Sequence, residues 1–253
     1  MARSPRTPIL IGLLVLFGLA SSVHAEEMAE GKAEESAEGK PAAHAAASRE
    51  GQPAPTLEEV MRRLAGSGGV EARFHESRQI AILSEPIESA GMLYFAPPDW
   101  LARHVTEPAE SRLVVRDGRV MFRDETGTQT LELGSSEVAR ALVGNTTLLM
   151  RGDLEALLAR YKMKFRVEGE RWTLDLEPRS RVVRSIMQRL RVQGRGGELI
   201  RMESTETSGD ITLTTFSEVK LGVDFSAEAL AEIFAMHPAP NPAEVSSRTD
   251  LAP

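Results

Sequence analysis

The stretch Leu113-Val114-Val115-Arg116-Asp117-Gly118-Arg119-Val120-Met121-Phe122 reads as a β-hairpin. Two apolar runs flank Asp117-Gly118, and a two-residue hairpin turn needs positive φ at both central positions, which this dipeptide supplies. The hairpin also shows the pattern that sets the architecture. Leu113-Val114-Val115 and Val120-Met121-Phe122 are apolar at successive positions, so both faces of the ribbon look apolar. A sheet with one wet face alternates cleanly instead.

Similar strand signals extend outward on both sides. Upstream, Val70 to Leu83 reads as a long strand. Glu88 to Ala96 reads as a second, ended by Pro97-Pro98, and Trp100 to Thr106 as a third. Thr128 to Leu133 follows the hairpin. Met163, Phe165 and Val167 alternate with charged residues, and Gly169-Glu170 turns the chain into Trp172, Leu174 and Leu176. Further strands are expected over Val182 to Val192, Glu198 to Thr207 and Asp210 to Val219.

Helices are expected in three places. Thr56 and Glu59 form a capping box ahead of Leu57, Val60, Met61 and Leu64. Ser136 to Val143 and Asp153 to Tyr161 carry helical spacing, with Gly144 to Met150 between them as an apolar loop. Ser226 caps a last helix holding Leu230, Ile233 and Phe234. About nine strands joined by short turns indicate an antiparallel sandwich or barrel, and helices that do not alternate with strands argue against a doubly wound sheet. The doubly apolar strands fit a curved sheet packed outward on a helix and inward around an apolar interior. They fit a plain two-layer core equally well.

The N-terminus reads as a secretory signal peptide over residues 1–25: Arg3 and Arg6, an apolar run from Ile9 to Ala20, then Val23-His24-Ala25. The run is short for a spanning helix, and no cysteine follows it to carry a lipid anchor. Its removal takes away two arginines and no acid, which moves the formal charge from −7 to −9. Residues 26–55, rich in Ala, Glu, Lys and Pro, read as a disordered linker. The folded domain is expected over 56–236, and 237–253 is expected to be a flexible tail.

Composition excludes several chemistries. The 253 residues include no cysteine, so disulfides, zinc–thiolate sites and cysteine nucleophiles are ruled out. An acidic chain lacks the basic footprint of a nucleic-acid binder. No His-Glu-x-x-His, Gly-x-Ser-x-Gly or phosphate-binding loop occurs. His75 and His104 fall in predicted strands beside polar neighbours and read as solvated or rim residues. Asp99, Glu107 and Glu110 read as solvated loop acids. Arg181, Arg184, Arg189, Arg191 and Arg195 form a local basic strip, read as a solvated strand face rather than an anionic-partner site. No catalysis, cofactor or metal is expected.

The order of these features resembles the LolA-like family. It runs through Phe74-His75-Glu76-Ser77-Arg78, Gly91-Met92-Leu93-Tyr94-Phe95-Ala96-Pro97-Pro98, Pro108, Leu113-Val114-Val115-Arg116-Asp117-Gly118, Trp172-Thr173-Leu174-Asp175-Leu176-Glu177-Pro178 and the Glu203–Thr215 segment. Each motif alone is strand and turn grammar, while their order over residues 56–236 is more specific. The resemblance implies a mainly β (α+β) fold: an incomplete, strongly curved antiparallel β-barrel with helices packed as a lid, the lid drawn from Val138 to Leu158. It implies a monomeric periplasmic carrier of lipoprotein or lipid acyl chains. Such a carrier takes cargo from an inner-membrane release complex and delivers it to an outer-membrane acceptor. Leaving acyl chains in water costs about 0.8 kcal/mol per CH₂, so such transport needs an apolar cavity.

Phe74, Met92, Tyr94, Leu113, Val115, Phe165, Trp172 and Leu174 are the expected cavity residues. Where the family's main transporters have a lid-holding arginine, this chain has Pro97. The aromatic expected a few residues later is replaced by Arg103 or His104, or shifted to Trp100. These departures suggest a divergent paralogue serving another lipid. A periplasmic regulatory or sensor module that binds a membrane-protein partner through the same fold is the alternative, and a periplasmic hydrolase lacks any convergent site.

Overall fold

The computed structural model describes residues 54–236. The expected signal segment, residues 26–53 of the linker and the tail lie outside them.

The chain opens with helix α1 (Leu57–Ala65), closed at its start by the Thr56/Glu59 capping box. Eleven strands follow among the described residues. They are β1 (Gly69–Gln79), β2 (Ile87–Ala96), β3 (Trp100–Glu107), β4 (Ser111–Arg116), β5 (Arg119–Asp124), β6 (Gly127–Glu132), β7 (Tyr161–Glu168), β8 (Arg171–Pro178), β9 (Met187–Arg195), β10 (Glu198–Glu206) and β11 (Ile211–Val223). Helices α2 (Glu137–Met150) and α3 (Leu154–Arg160) lie between β6 and β7. The single turn α4 (Arg181–Arg184) precedes β9, and α5 (Ala227–Ile233) ends the fold.

All strands belong to one antiparallel sheet of order β6-β5-β4-β3-β2-β1-β11-β10-β9-β8-β7. Every connection joins neighbouring strands except one. The β6–β7 connection carries the lid helices from one open edge to the other, and β1 pairs with β11 to join the chain's two halves. The Asp117-Gly118 turn has φ of 52° and 73°, as the sequence requires.

The sheet is strongly curved. Leu113 on β4 and Leu190 on β9 line the same cavity although six strand spacings separate them. On a flat sheet that is about 29 Å at ~4.8 Å per strand. The architecture is an incomplete antiparallel barrel whose concave side is filled by helices.

Two expectations are corrected. Gly144 to Met150 is not a loop, because α2 runs unbroken to Met150. Asn145, Thr146 and Thr147 are weak helix formers, but all three are buried along with Leu148, Leu149 and Met150, and tertiary packing overrides propensity. Val182 to Ile186 is not strand: Ser180 caps the α4 turn and Val183 enters the core.

Each face of the sheet has its own apolar cluster. The larger one unites α1 (Val60, Met61, Leu64), α2 (Val143, Leu149) and inward residues such as Phe95, Leu101, Val115, Val120, Trp172 and Leu176. Trp172 lies flat against Gly194, where an added Cβ would fall 2.2 Å from the indole ring. Its Nε1 donates to the Gly196 carbonyl at 3.1 Å. The second cluster is on the outer face, where Ala96, Ala102, Val114, Trp100 and Met121 pack under α5 and Phe234.

Candidate functional site

The candidate site is the space between the concave face and α2. Phe74 (β1), Leu93 (β2), Leu101 (β3), Leu113 (β4), Leu190 (β9) and Phe216 (β11) supply apolar wall, and Asn145 and Thr146 enter from the middle of α2. The cavity measures about 80 Å³. Pockets for small ligands run to roughly 300–1,000 Å³, so with α2 packed in this position the cavity is smaller than that range.

The lid is seated by packing and by one buried hydrogen bond. Its own Leu149 and Leu157 are fully buried. The Tyr161 hydroxyl donates to Asn145 Oδ1, joining the first residue of β7 to the middle of α2. Burial pushes the Tyr161 phenol above its ordinary value, although the Asn145 contact and Arg160 oppose this, so it stays a neutral donor. Between α2 and α3, Gly152 adopts φ +61° and lies against α1, where an added Cβ would meet the Met61 carbonyl oxygen at 2.0 Å. Pro97 is in the turn between β2 and β3.

Part of the wall is charged. Arg103 Nη2 lies 2.8 Å from Glu76 Oε1, both side chains largely buried. The guanidinium also stands 4.2 Å over the Phe74 ring, an attractive cation–π position. Glu76 Oε2 accepts from the Thr214 hydroxyl at 2.8 Å. Two residues further along β1, on the same face, Arg78 reaches Asp210 at 3.6 Å and Glu206 at 3.9 Å. Burial pushes the Glu206 carboxyl up to about 7; Asp210 adds to this, while Arg78 and the Ser208 hydroxyl oppose it.

The structure separates the eight expected cavity residues. Phe74 and Leu113 line the cavity. Val115, Phe165, Trp172 and Leu174 belong to the inner core around it. Met92 and Tyr94 are corrections, because they occupy the opposite face. In β2, Leu93 and Phe95 point inward and the alternate residues outward, where Met92 pairs across strands with His104 and Tyr94 packs on His104 and Phe225. Sequence reasoning missed Glu76, Arg103, Thr212 and Asn145. A charged residue inside a strand reads as outward-facing unless its buried partner on another strand is known.

Arg103 and His104 face opposite sides of β3. Arg103 faces the cavity. His104 is not a solvated or rim residue: its Nε2 contacts the Ile233 carbonyl at 2.8 Å and so ties α5 to the outer face. Burial holds the imidazole below its ordinary value, with Arg112 acting in the same direction and Ile233 and Glu232 against it. His75 is exposed, 3.4 Å from Glu88. In the basic strip, Arg191 is 2.7 Å from Asp175 and Arg189 is 3.5 Å from Glu203, so acids balance these two.

Among the described residues no group of three His, Asp or Glu side chains could hold a metal ion, and no helix is long and apolar enough to cross a membrane. Residues 46–232 match the family described as outer membrane lipoprotein carrier protein LolA-like. No curated protein matches the sequence. Similar solved structures include a LolA superfamily protein from Nitrosomonas europaea at 11% identity and TM-score 0.40, covering 69% of this chain and 97% of that one. The MucA/MucB complex of Pseudomonas aeruginosa is similar at 14% identity and TM-score 0.39, with 69% and 60% covered. Lipoprotein LppX of Mycobacterium tuberculosis is similar at 10% identity and TM-score 0.34, with 66% and 97% covered.

Proposed function

The chain belongs to the LolA-like family of outer membrane lipoprotein carrier proteins, and from that premise we propose that it is a periplasmic, non-catalytic carrier. It shields the acyl chains of a lipoprotein or another lipid beneath α2 and α3 while they pass from an inner-membrane donor toward an outer-membrane acceptor. The observation that supports this reading is a cavity walled by Phe74, Leu93, Leu101, Leu113, Leu190 and Phe216 and capped by a helix inserted between the two open sheet edges. Burying acyl methylenes there at about 0.8 kcal/mol each offsets the work of displacing the lid.

The test is titration of the delipidated protein with a fluorescent acyl probe. Saturable one-to-one uptake, competed by unlabelled acyl lipid, is the expected result. A protein that takes up no probe and instead forms a tight lipid-free complex with a membrane-protein partner would replace the carrier with the regulatory module.

A further inference from the structure

The cavity is amphipathic, and its polar part is specific in kind. Following the register across the concave face, Phe216 pairs with Phe74, Thr214 with Glu76 and Thr212 with Arg78. Ser204 of β10 lies beside Thr212. The wall therefore passes from aromatic rings, through a neutralised ion pair, to two hydroxyls within two rungs.

Thr212 is 5% exposed and lines the cavity. Its Oγ1 has no hydrogen-bond partner among the described residues. A buried hydroxyl left unmatched is disfavoured, and a ligand carrying an acceptor removes that penalty. Pure hydrocarbon does not. An anionic head at Thr212 meets cations that already have acids: Arg78, directly across the strands, lies 3.6 Å from Asp210 and 3.9 Å from Glu206, and Arg103 lies 2.8 Å from Glu76. The charges are matched within the wall, which leaves no net cation for a phosphate to neutralise.

On these grounds we infer that the cavity selects an acyl chain carrying an uncharged ester or amide carbonyl, received by the Thr212 hydroxyl beside Ser204, with the chain running toward Phe74, Leu93 and Leu113. This rests on the carrier reading and narrows it to neutral acyl esters or amides. Both a free glyceride and the diacylglyceryl group of a lipoprotein offer that chemistry.

The experiment compares four C16 ligands on the delipidated full chain by calorimetry: monopalmitoylglycerol, palmitate, palmitoyl lysophosphatidate and hexadecane. The glyceride is expected to bind at least tenfold more tightly than lysophosphatidate and more tightly than hexadecane. Thr212→Val is expected to weaken glyceride binding about 2- to 12-fold, the range of one net hydrogen bond, and to leave hexadecane unchanged. Because the lost hydroxyl was unmatched, the same variant should be at least as stable as wild type without ligand. A purely structural role would lower that stability. Glu76→Gln, which unbalances Arg103, should shift preference toward lysophosphatidate.

Equal binding of all four ligands, or preference for lysophosphatidate by the wild type, overturns the head-group inference and leaves the carrier intact. Binding of none of them overturns the carrier reading itself. A diacylglyceryl-cysteine peptide titrated beside diacylglycerol separates the sources: tighter peptide binding identifies a lipoprotein, and the reverse a free lipid.

Discussion

The strands β2–β5 bury apolar side chains on both faces, and the two faces are finished differently. Outside, α5 and Phe234 close over Trp100, Ala102, Val114 and Met121, and His104 fixes the end of the helix by its carbonyl. Inside, α2 closes over Leu93, Leu101 and Leu113 but leaves about 80 Å³, a charged pair and an unmatched hydroxyl. The outer face is finished packing. The inner face is packing left incomplete in a form that a ligand can complete. Native interiors contain few voids and few unsatisfied groups, so the cavity and the unmatched Thr212 hydroxyl on the inner side support the proposal that this face binds a ligand.

The largest expected effect breaks the outer face. Phe234 is 1% exposed, and Phe234→Ala should lower unfolding free energy by about 3–5 kcal/mol in denaturant titration without changing acyl-probe affinity below the transition. Its inner counterpart is Leu149→Ala, at a fully buried position of the lid helix α2. That change should lower stability by about 2–5 kcal/mol and also speed probe uptake in stopped flow. Equal uptake kinetics in the two variants would erase the distinction between the faces.

A third prediction concerns pH. The Glu206 carboxyl has its ordinary value of 4.5 when unfolded and about 7 when folded, so the folded state favours the protonated acid. The stabilisation is complete below pH 4.5 and is lost as pH rises through about 7, by about 3 kcal/mol at most. Glu206→Gln mimics the protonated acid. It should match wild type near pH 4 and exceed it at pH 8 by thermal unfolding. A wild type more stable than the variant at pH 8 would mean that the Arg78 pairing outweighs burial.

The smallest expected effect is at the lid's seat. Gly152→Ala places a Cβ at positive φ against α1 and should destabilise by about 1–3 kcal/mol, with uptake faster than wild type.

Much of this comparison was legible in the sequence, and its decisive part was not. Asp117-Gly118 specified the hairpin, and Thr56, Asp153 and Ser226 cap helices as their positions indicate. The doubly apolar strands fitted an outer helix with an inner apolar space, and fitted a plain two-layer core equally well. What alternation could not supply was direction: in Met92-Leu93-Tyr94-Phe95 every residue is apolar, so parity alone leaves the inward pair undecided. Met92 and Tyr94 went outward because His104 and Phe225 receive Tyr94 there. The charged inner residues were hidden for another reason. Arg103 and Glu76 lie on β3 and β1, 27 residues apart, and meet only because the sheet curls and Arg103 reaches back past β2.

The central claim is that the inner face is a lid-covered acyl site. Native mass spectrometry of the protein taken from its own periplasm, followed by lipid extraction, tests it most directly. The account predicts a discrete added mass that extracts as an acyl lipid or an acylated protein and is retained by Phe234→Ala. A bare protein that also takes up no acyl probe would contradict it.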